Sequence, residues 1–236
     1  MFIEDVFINW NKIRDKSYLR NIDAFKGVDS IRFNSPVTFF VGENGSGKST
    51  LLEAMAIAEG FNPEGGTRNY SFSTYDSHSE LFEAIRLSRT IKAQWGYFLR
   101  AESFYNVATM EEEYSKLAPC KVVPMEFHKK SHGEGFLSLV QNSFNKKGLY
   151  FLDEPEAALS PQRQLTLLLE IKRCVEQGSQ FFIVTHSPIL LGFPEAEILS
   201  FDNGAVHACT YEETDSFRVT SMFINNKEQI LKNLFE

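Results

Sequence analysis

The sequence predicts an α/β fold whose mostly parallel sheet is flanked by helices, and two segments carry this prediction. In the first, the apolar, β-favouring run Val37–Val41 leads through a glycine-rich loop into helix-forming residues from Leu51 onward. The second is a strand, a capped helix and a strand between Gly148 and Val184, and such a crossover joins parallel strands. The length of 236 residues suits a single domain spanning residues 1–236.

The composition and net charge of the chain disfavour several classes of protein. With 43% hydrophobic and 23% charged residues, the chain has the composition of a globular protein. Its formal net charge of −7 disfavours indiscriminate binding to polyanions. No apolar run approaches the ~18–20 residues of a membrane-spanning helix, so we expect no span. Three widely spaced cysteines (Cys120, Cys174 and Cys209) and an acidic start without a basic leader predict reduced thiols in a cytoplasmic protein.

The helix of the crossover has end signals in the sequence. Ser160 and Pro161 predict an N-cap and a first helical residue, and Gly178 predicts the end of the helix. Its apolar side is predicted to comprise Leu165, Leu168, Leu169 and Val175.

The other segments give weaker signals. Asn203-Gly204 predicts a hairpin turn between strands at 197–201 and 205–211, and a last helix is expected at about 226–235. Alternating aromatic and polar residues predict a strand at 68–75. Mixed helix and loop signals at about 76–147 predict a smaller, lid-like helical subdomain.

The glycine-rich loop fits the phosphate-binding pattern G-x-x-x-x-G-K-S/T. It leaves a buried strand and enters a helix, so that backbone N–H groups and the helix N-terminus face an anion. The pattern predicts that Lys48 reaches the β- and γ-phosphates and that Ser49 binds Mg²⁺. The residues expected to hold the nucleotide are Gly42, Glu43, Asn44, Gly45, Ser46, Gly47, Lys48, Ser49 and Thr50.

Two carboxylates follow the apolar run that begins at Leu149. Asp153 and Glu154 would then lie at the carboxyl edge of the sheet, where doubly wound folds bind their ligands. We expect Asp153 to bind Mg²⁺ with Ser49, and Glu154 to polarise the attacking water.

A histidine follows the second buried strand of the crossover. His186 lies just beyond Val184, at the same predicted edge of the sheet. A neutral imidazole there would contact the γ-phosphate or the attacking water, and we include it among the catalytic candidates.

The order of these motifs resembles that of ATP-binding-cassette (ABC) class ATPases. Residues 153–160, DEPEAALS, resemble the Walker B and D-loop segment of stand-alone RecF-like and SMC-like "AAA family" proteins, and residues 98–104 resemble the FLRAES stretch of a compact bacterial family. The resemblance runs from about Val37 to the end of the chain. It implies a P-loop NTPase fold of ABC type, ATP and Mg²⁺ as cofactors, and an ATP-dependent homodimer.

The class also has a signature segment, LSGGQ, which closes the ATP site of the opposite protomer. Ser131 and Gly133 match its serine and second glycine, Glu134 matches its glutamine, and His132 departs from its first glycine. The resemblance implies that Ser131 is catalytic in the partner's site and that Gly133 contacts the nucleotide there.

Two further positions have open assignments. A transporter-type Q-loop glutamine is not evident, and Arg100 and Glu102 occupy the equivalent region, either facing the metal or water or forming a surface ion pair. Tyr18 and Phe25 are the candidates for an aromatic residue stacked on adenine.

These observations predict an ATPase whose head-to-tail dimer closes with ATP and opens after hydrolysis. The sequence does not indicate whether this cycle acts on a partner protein or on DNA. A motor subunit of a membrane transporter is disfavoured by the DEPEAALS segment and by the altered signature. A non-catalytic, nucleotide-dependent interaction module stays an alternative.

Overall fold

The computed structural model describes residues 1–68, 79–100, 132–144 and 146–236, and every structural statement below concerns these residues. They form two β-sheets with helices packed between and around them.

The larger sheet has six strands in the order β5-β6-β7-β3-β8-β9. All neighbouring strands are parallel except β8 and β9, which pair antiparallel. The strands in chain order are β3 (Val37–Val41), β5 (Gly96–Arg100), β6 (Leu149–Asp153), β7 (Gln180–Val184), β8 (Glu197–Ser200) and β9 (His207–Ala208). The mainly parallel α/β sheet predicted from the sequence is confirmed.

The smaller sheet is antiparallel, with the order β2-β1-β4. Its strands are β1 (Ile3–Ile8), β2 (Ser30–Arg32) and β4 (Ile85–Arg89). The helices are α1 (Lys48–Ala58), α2 (Leu81–Ala84), α3 (His132–Ser143), α4 (Pro161–Glu176), α5 (Pro188–Leu191), α6 (Asp215–Asn225) and α7 (Lys227–Phe235).

The core lies on both faces of the six-stranded sheet, because successive side chains of a strand point to opposite faces. On β7, Phe182 packs in the cluster that contains the smaller sheet and α1, whereas Phe181 packs in the cluster that contains α3 and α4. Phe151 and Tyr150 of β6 divide in the same way. All five residues of β3, β6 and β7 are buried, which explains why these strands appear in the sequence as continuous apolar runs.

The apolar side predicted for α4 is only partly correct, because Leu168 and Val175 pack against the core but the other two residues do not. Leu165 and Leu169 are 47% and 71% exposed, whereas the fully inward residues are Gln164, Leu167, Ile171 and Cys174. Because Gln164 is polar, these four inward residues do not form a continuous apolar pattern in the sequence. It is tolerated inside because its Nε2 donates to the Leu159 carbonyl at 3.2 Å and its Oε1 accepts from Ser187 Oγ at 2.5 Å.

The helix ends and the hairpin follow the sequence more closely. Ser160 is at the N-cap position of α4, although its side chain makes no capping hydrogen bond, and Gly178 follows the helix with φ +87°. The Asn203-Gly204 turn has positive φ at both residues, and β9 is shorter than the strand predicted at 205–211. The last helix is α7, close to the predicted bounds.

The span predicted to form a lid-like subdomain, about 76–147, is only partly described. Its strands β4 and β5 belong to the smaller and the larger sheet, respectively, and α3 packs against α4. Residues 101–131 lie outside the described ranges, as does most of the strand predicted at 68–75, so the lid-like subdomain stays a prediction. Among the described helices, none has the length and apolarity needed to cross a membrane.

A buried glutamine ties the two sheets together. Gln180, at the start of β7, is 0% exposed. Its Oε1 accepts hydrogen bonds from the backbone N–H groups of Phe2 and Ile3 at 2.7 and 2.9 Å, and its Nε2 donates to the Ile3 carbonyl at 2.8 Å. One side chain thereby satisfies three backbone groups that have no water to bond.

We expect Gln180→Leu to lower the free energy of unfolding by about 2–4 kcal/mol, because a side chain of similar size leaves these buried groups unpaired. Urea denaturation followed by circular dichroism measures the change. The exposed Gln162 offers a matched control, and Gln162→Leu should change stability by less than about 0.5 kcal/mol. Equal stability of the two variants would contradict this role for Gln180.

Candidate functional site

The polar residues singled out in the sequence meet at one edge of the larger sheet. The strands β3, β7 and β6 are neighbours and parallel, so their carboxyl ends lie side by side. The phosphate loop follows β3, the pair Asp153-Glu154 ends β6, and His186 comes two residues after β7.

The loop between β3 and α1 has a conformation that requires glycine. Gly47, at the N-cap of α1, has φ +99°, and a Cβ there would lie 2.9 Å from a methyl group of Ile22 and 3.0 Å from the ring of Phe25. The side chains of Ile22 and Phe25 therefore leave no room for a Cβ at this position of the loop. The first backbone N–H groups of α1 have no partner within the helix, and the residues that carry them line an open cavity described below.

Lys48 is inside this loop and is only 4% exposed. Its Nζ donates to the carbonyl oxygens of Gly42 and Glu43 at 2.6 and 2.7 Å. Burial lowers the pKa of Lys48, and the nearby carboxylates of Asp202, Glu154 and Asp153 act in the opposite direction. The ammonium group is therefore held by carbonyls that phosphate oxygens can replace.

Ser49 and Asp153 come together across the sheet edge, since Ser49 Oγ donates to Asp153 Oδ1 at 2.8 Å. A hydroxyl and a carboxylate are oxygen ligands of the kind that Mg²⁺ takes from proteins when substrate phosphates supply the rest. The pair fits the ion predicted for it.

Arg100 is a neighbour of this pair and not a surface residue. It ends β5 next to Asp153, its Nη1 lies 2.5 Å from Glu53 Oε2, and its Nε lies 3.7 Å from Asp153 Oδ2. Arg100 forms an ion pair with Glu53 on α1, whereas Glu102 is outside the described residues, so its pairing with Arg100 stays a prediction. Through these two contacts, Arg100 links the carboxyl end of β6 to α1.

Glu154 is held in an unusual backbone conformation, with φ +49° and ψ +51°. A non-glycine residue in the left-handed region stores strain, which proteins accept mainly at functional sites. Its N–H donates to the Val184 carbonyl at 3.0 Å, and its Oε1 lies 3.9 Å from His186 Nε2. Both side chains are nearly half exposed, so they can meet a ligand and its water.

A third carboxylate fixes the backbone of the histidine. Glu156 Oε1 accepts a hydrogen bond from the His186 N–H at 2.6 Å, and burial raises the pKa of Glu156. Because Glu156 belongs to the short 3₁₀ helix Pro155–Ala158, this bond couples the segment after β6 to the segment after β7.

An open cavity of about 310 Å³ lies over the loop, lined by Tyr18 and Ile22 together with loop residues and Glu154. Tyr18 is 55% exposed, whereas Phe25 is fully buried and packs against Phe201. Of the two candidates for adenine stacking, Tyr18 alone is accessible to a ligand. The buried Ser46 Oγ has no hydrogen-bond partner among the described residues, as expected for a hydroxyl whose partner is a ligand.

The signature residues are only partly described. Ser131 lies outside the described residues, and Gly133 is in the first turn of α3. Glu134 is in the same turn, and its Oε1 lies 3.3 Å from Arg163 Nη2 of α4. The roles of Ser131 and Gly133 stay predictions.

One residue of the site was missed in the sequence. Asp202 follows β8, the other neighbour of β3, and its Oδ1 accepts a hydrogen bond from the Glu43 N–H at 2.8 Å. Like Asp153, Asp202 comes at the end of a predicted strand, and this position is a signal that could have identified it. The adjoining Asn203-Gly204 sequence favoured a hairpin turn instead.

Two family models and one curated protein match parts of the chain. A family model described as "AAA domain" matches residues 18–115, and one described as "AAA domain, putative AbiEii toxin, Type IV TA system" matches residues 136–192. The structural maintenance of chromosomes protein 6 of Takifugu rubripes is 31% identical over 70 residues, which are 30% of this chain and 6% of that protein.

Solved structures also align with most of the chain. The SMC head domain from Thermotoga maritima aligns with 89% of this chain and 99% of its own at 16% identity and a TM-score of 0.49. An ATP-binding cassette of an ABC transporter aligns with 96% of this chain and 97% of its own at 17% identity and a TM-score of 0.48. From its phosphate loop and these partial matches, the chain resembles nucleotide-binding P-loop domains of AAA-type and SMC-like ATPases.

Proposed function

We propose that the protein is an Mg²⁺-dependent ATPase that binds ATP over the phosphate loop and hydrolyses it between two head-to-tail copies of the chain. The observation that carries the proposal is the contact of Ser49 with Asp153 at 2.8 Å, beside the buried Lys48 and next to Glu154. Three groups thus lie at one edge of the sheet: a cation that can bind phosphate, a pair that can bind a metal ion, and a carboxylate that can activate water.

The residues would divide the work as follows. Lys48 exchanges the carbonyls of Gly42 and Glu43 for phosphate oxygens, and its charge stabilises the negative charge that develops in the transition state. Ser49 and Asp153 hold Mg²⁺, which neutralises charge on the phosphates when bound.

Glu154 and His186 act on the far side of the γ-phosphate. Glu154 orients the attacking water in line with the bond that breaks and accepts its proton as general base. Glu156 holds the backbone of His186, and the imidazole, 3.9 Å from the Glu154 carboxylate, would contact the γ-phosphate. Tyr18, exposed at the cavity, stacks on the adenine.

The second copy completes the site in this proposal. Ser131 and Gly133 resemble the signature that closes over the γ-phosphate of the partner protomer, so ATP holds the dimer closed and hydrolysis releases it. The opening and closing would act on a partner protein or on DNA.

Glu154→Gln should keep ATP binding and lower kcat by at least about a hundredfold, because the amide cannot accept the proton of the attacking water. Phosphate release measures turnover, and calorimetry measures ATP binding. The exposed Glu212 provides a control, and Glu212→Gln should hydrolyse ATP at the wild-type rate. Wild-type turnover of Glu154→Gln would refute the role of Glu154, and ATP binding without turnover in the wild type would favour an interaction module.

Asp153→Asn should raise the Mg²⁺ concentration needed for half-maximal ATP binding by about tenfold or more, because a neutral amide is a poor ligand for a hard cation. Binding of ATP in the presence of EDTA should not weaken. The two titrations together separate metal binding from phosphate binding. An unchanged Mg²⁺ requirement would remove Asp153 from the metal site.

Mixing two inactive variants tests the composite site. Ser131→Arg should bind ATP but hydrolyse it poorly, and Lys48→Ala should lose phosphate contacts and activity. A mixed dimer has one site with both the intact Lys48 and the intact Ser131, so activity should partly return on mixing. Sedimentation with ATP shows whether mixed dimers form. Full activity of Ser131→Arg alone would exclude this segment as the signature.

A further inference from the structure

The carboxylate of Asp202 is in direct contact with the start of the phosphate loop. Its Oδ1 accepts the Glu43 N–H at 2.8 Å, and its backbone N–H donates to Ser200 Oγ at 3.2 Å, which fixes the residue at the end of β8. A Cβ on Gly42 would lie only 2.9 Å from the same Oδ1. The carboxylate therefore packs against the first two residues of the loop.

The same turn of the loop is held from two sides. Lys48 Nζ binds the carbonyl oxygens of Gly42 and Glu43, and Asp202 binds the N–H of Glu43. Among the carboxylates that favour the charged form of Lys48 and so oppose the lowering of its pKa by burial, Asp202 has the largest effect. Asp202 thus interacts with the ammonium both through the loop and through its charge.

Asp202 lies in a cleft that adjoins the cavity over the phosphate loop, since Asn44 and Glu154 line both. This cleft is open, has a volume of about 1160 Å³ and also contains Glu43 and His186. A triphosphate held by Lys48 therefore brings several negative charges toward a fixed one. Because Asp202 is only partly buried and the cleft is open, this repulsion is stronger than in bulk water but is still partly screened by salt.

We propose that Asp202 is a positioning residue of the phosphate loop with two opposing effects on nucleotide binding. Its hydrogen bond to the Glu43 N–H holds the loop in the shape that receives phosphates, and its negative charge competes with those phosphates for Lys48. The proposal rests on the proposed function, since it concerns the same phosphate loop.

Two substitutions separate these effects because asparagine keeps an acceptor oxygen and alanine does not. Asp202→Asn should lower the dissociation constant of ATP by about three- to tenfold, the effect of removing one nearby negative charge. Asp202→Ala should bind ATP about five- to tenfold more weakly than Asp202→Asn, because the Glu43 N–H then loses its partner and the loop its anchor.

The experiment is a calorimetric titration of ATP in EDTA, at low and at moderate salt, into the wild type and the variants. Asp215, at the start of α6, lines the same cleft and serves as the matched control. Asp215→Asn should leave the dissociation constant within about twofold of the wild type, since Asp215 is exposed and is not among the carboxylates that act on Lys48. The gain in Asp202→Asn should shrink at the higher salt.

Each result decides one part of the proposal. Wild-type or weaker binding by Asp202→Asn, or equal tightening by Asp215→Asn, would overturn the competing charge. Equal affinities of Asp202→Ala and Asp202→Asn would overturn the anchor, and thermal unfolding of both checks that they are folded. If the wild type itself does not bind ATP, the proposed function fails, and not merely the role of Asp202.

Discussion

The parallel pairing of β3, β7 and β6 is the constraint on which the rest of this structure depends. In register, Phe40 of β3 pairs with Val184 of β7, which in turn pairs with Asp153 of β6. The three strands therefore end together, and whatever follows them is brought to one edge. Their side chains are buried on both faces, so that a slip of one strand would exchange the residues of the two cores.

Positively and negatively charged side chains lie close together at this edge of the larger sheet. Lys48 is surrounded by carboxylates, and Arg100 lies between Glu53 and Asp153. Buried charges are tolerated when they are paired and hydrogen-bonded. In the described structure the pairing is internal, with the ammonium of Lys48 on loop carbonyls. Nucleotide binding would then be an exchange of partners for Lys48, and its affinity would depend on the groups that compete for the ammonium.

The segments after β6 and β7 are linked to each other as well as to the loop. Glu154 donates its N–H to Val184, and Glu156 accepts the N–H of His186. The strained backbone of Glu154 is held by these neighbours, as such conformations must be. A displacement of the segment after either strand would move both side chains of the Glu154–His186 pair. If the two copies close over ATP as proposed, this linkage provides a route by which closure aligns the water-activating residues.

The sequence by itself determined the parallel sheet, the phosphate loop, the Asp153–Glu154 pair and the place of His186. Each is a local pattern in which a buried strand and the polar residues after it lie within a few positions, so the chemistry is legible without the fold. Only the tertiary structure decided that α4 turns Gln164 inward, that Arg100 pairs with Glu53, and that Asp202 holds the phosphate loop. These depend on partners 23, 47 and 159 positions away in the chain. A polar side chain is placed by the group that satisfies it, and that group is known only once the strands and helices are packed.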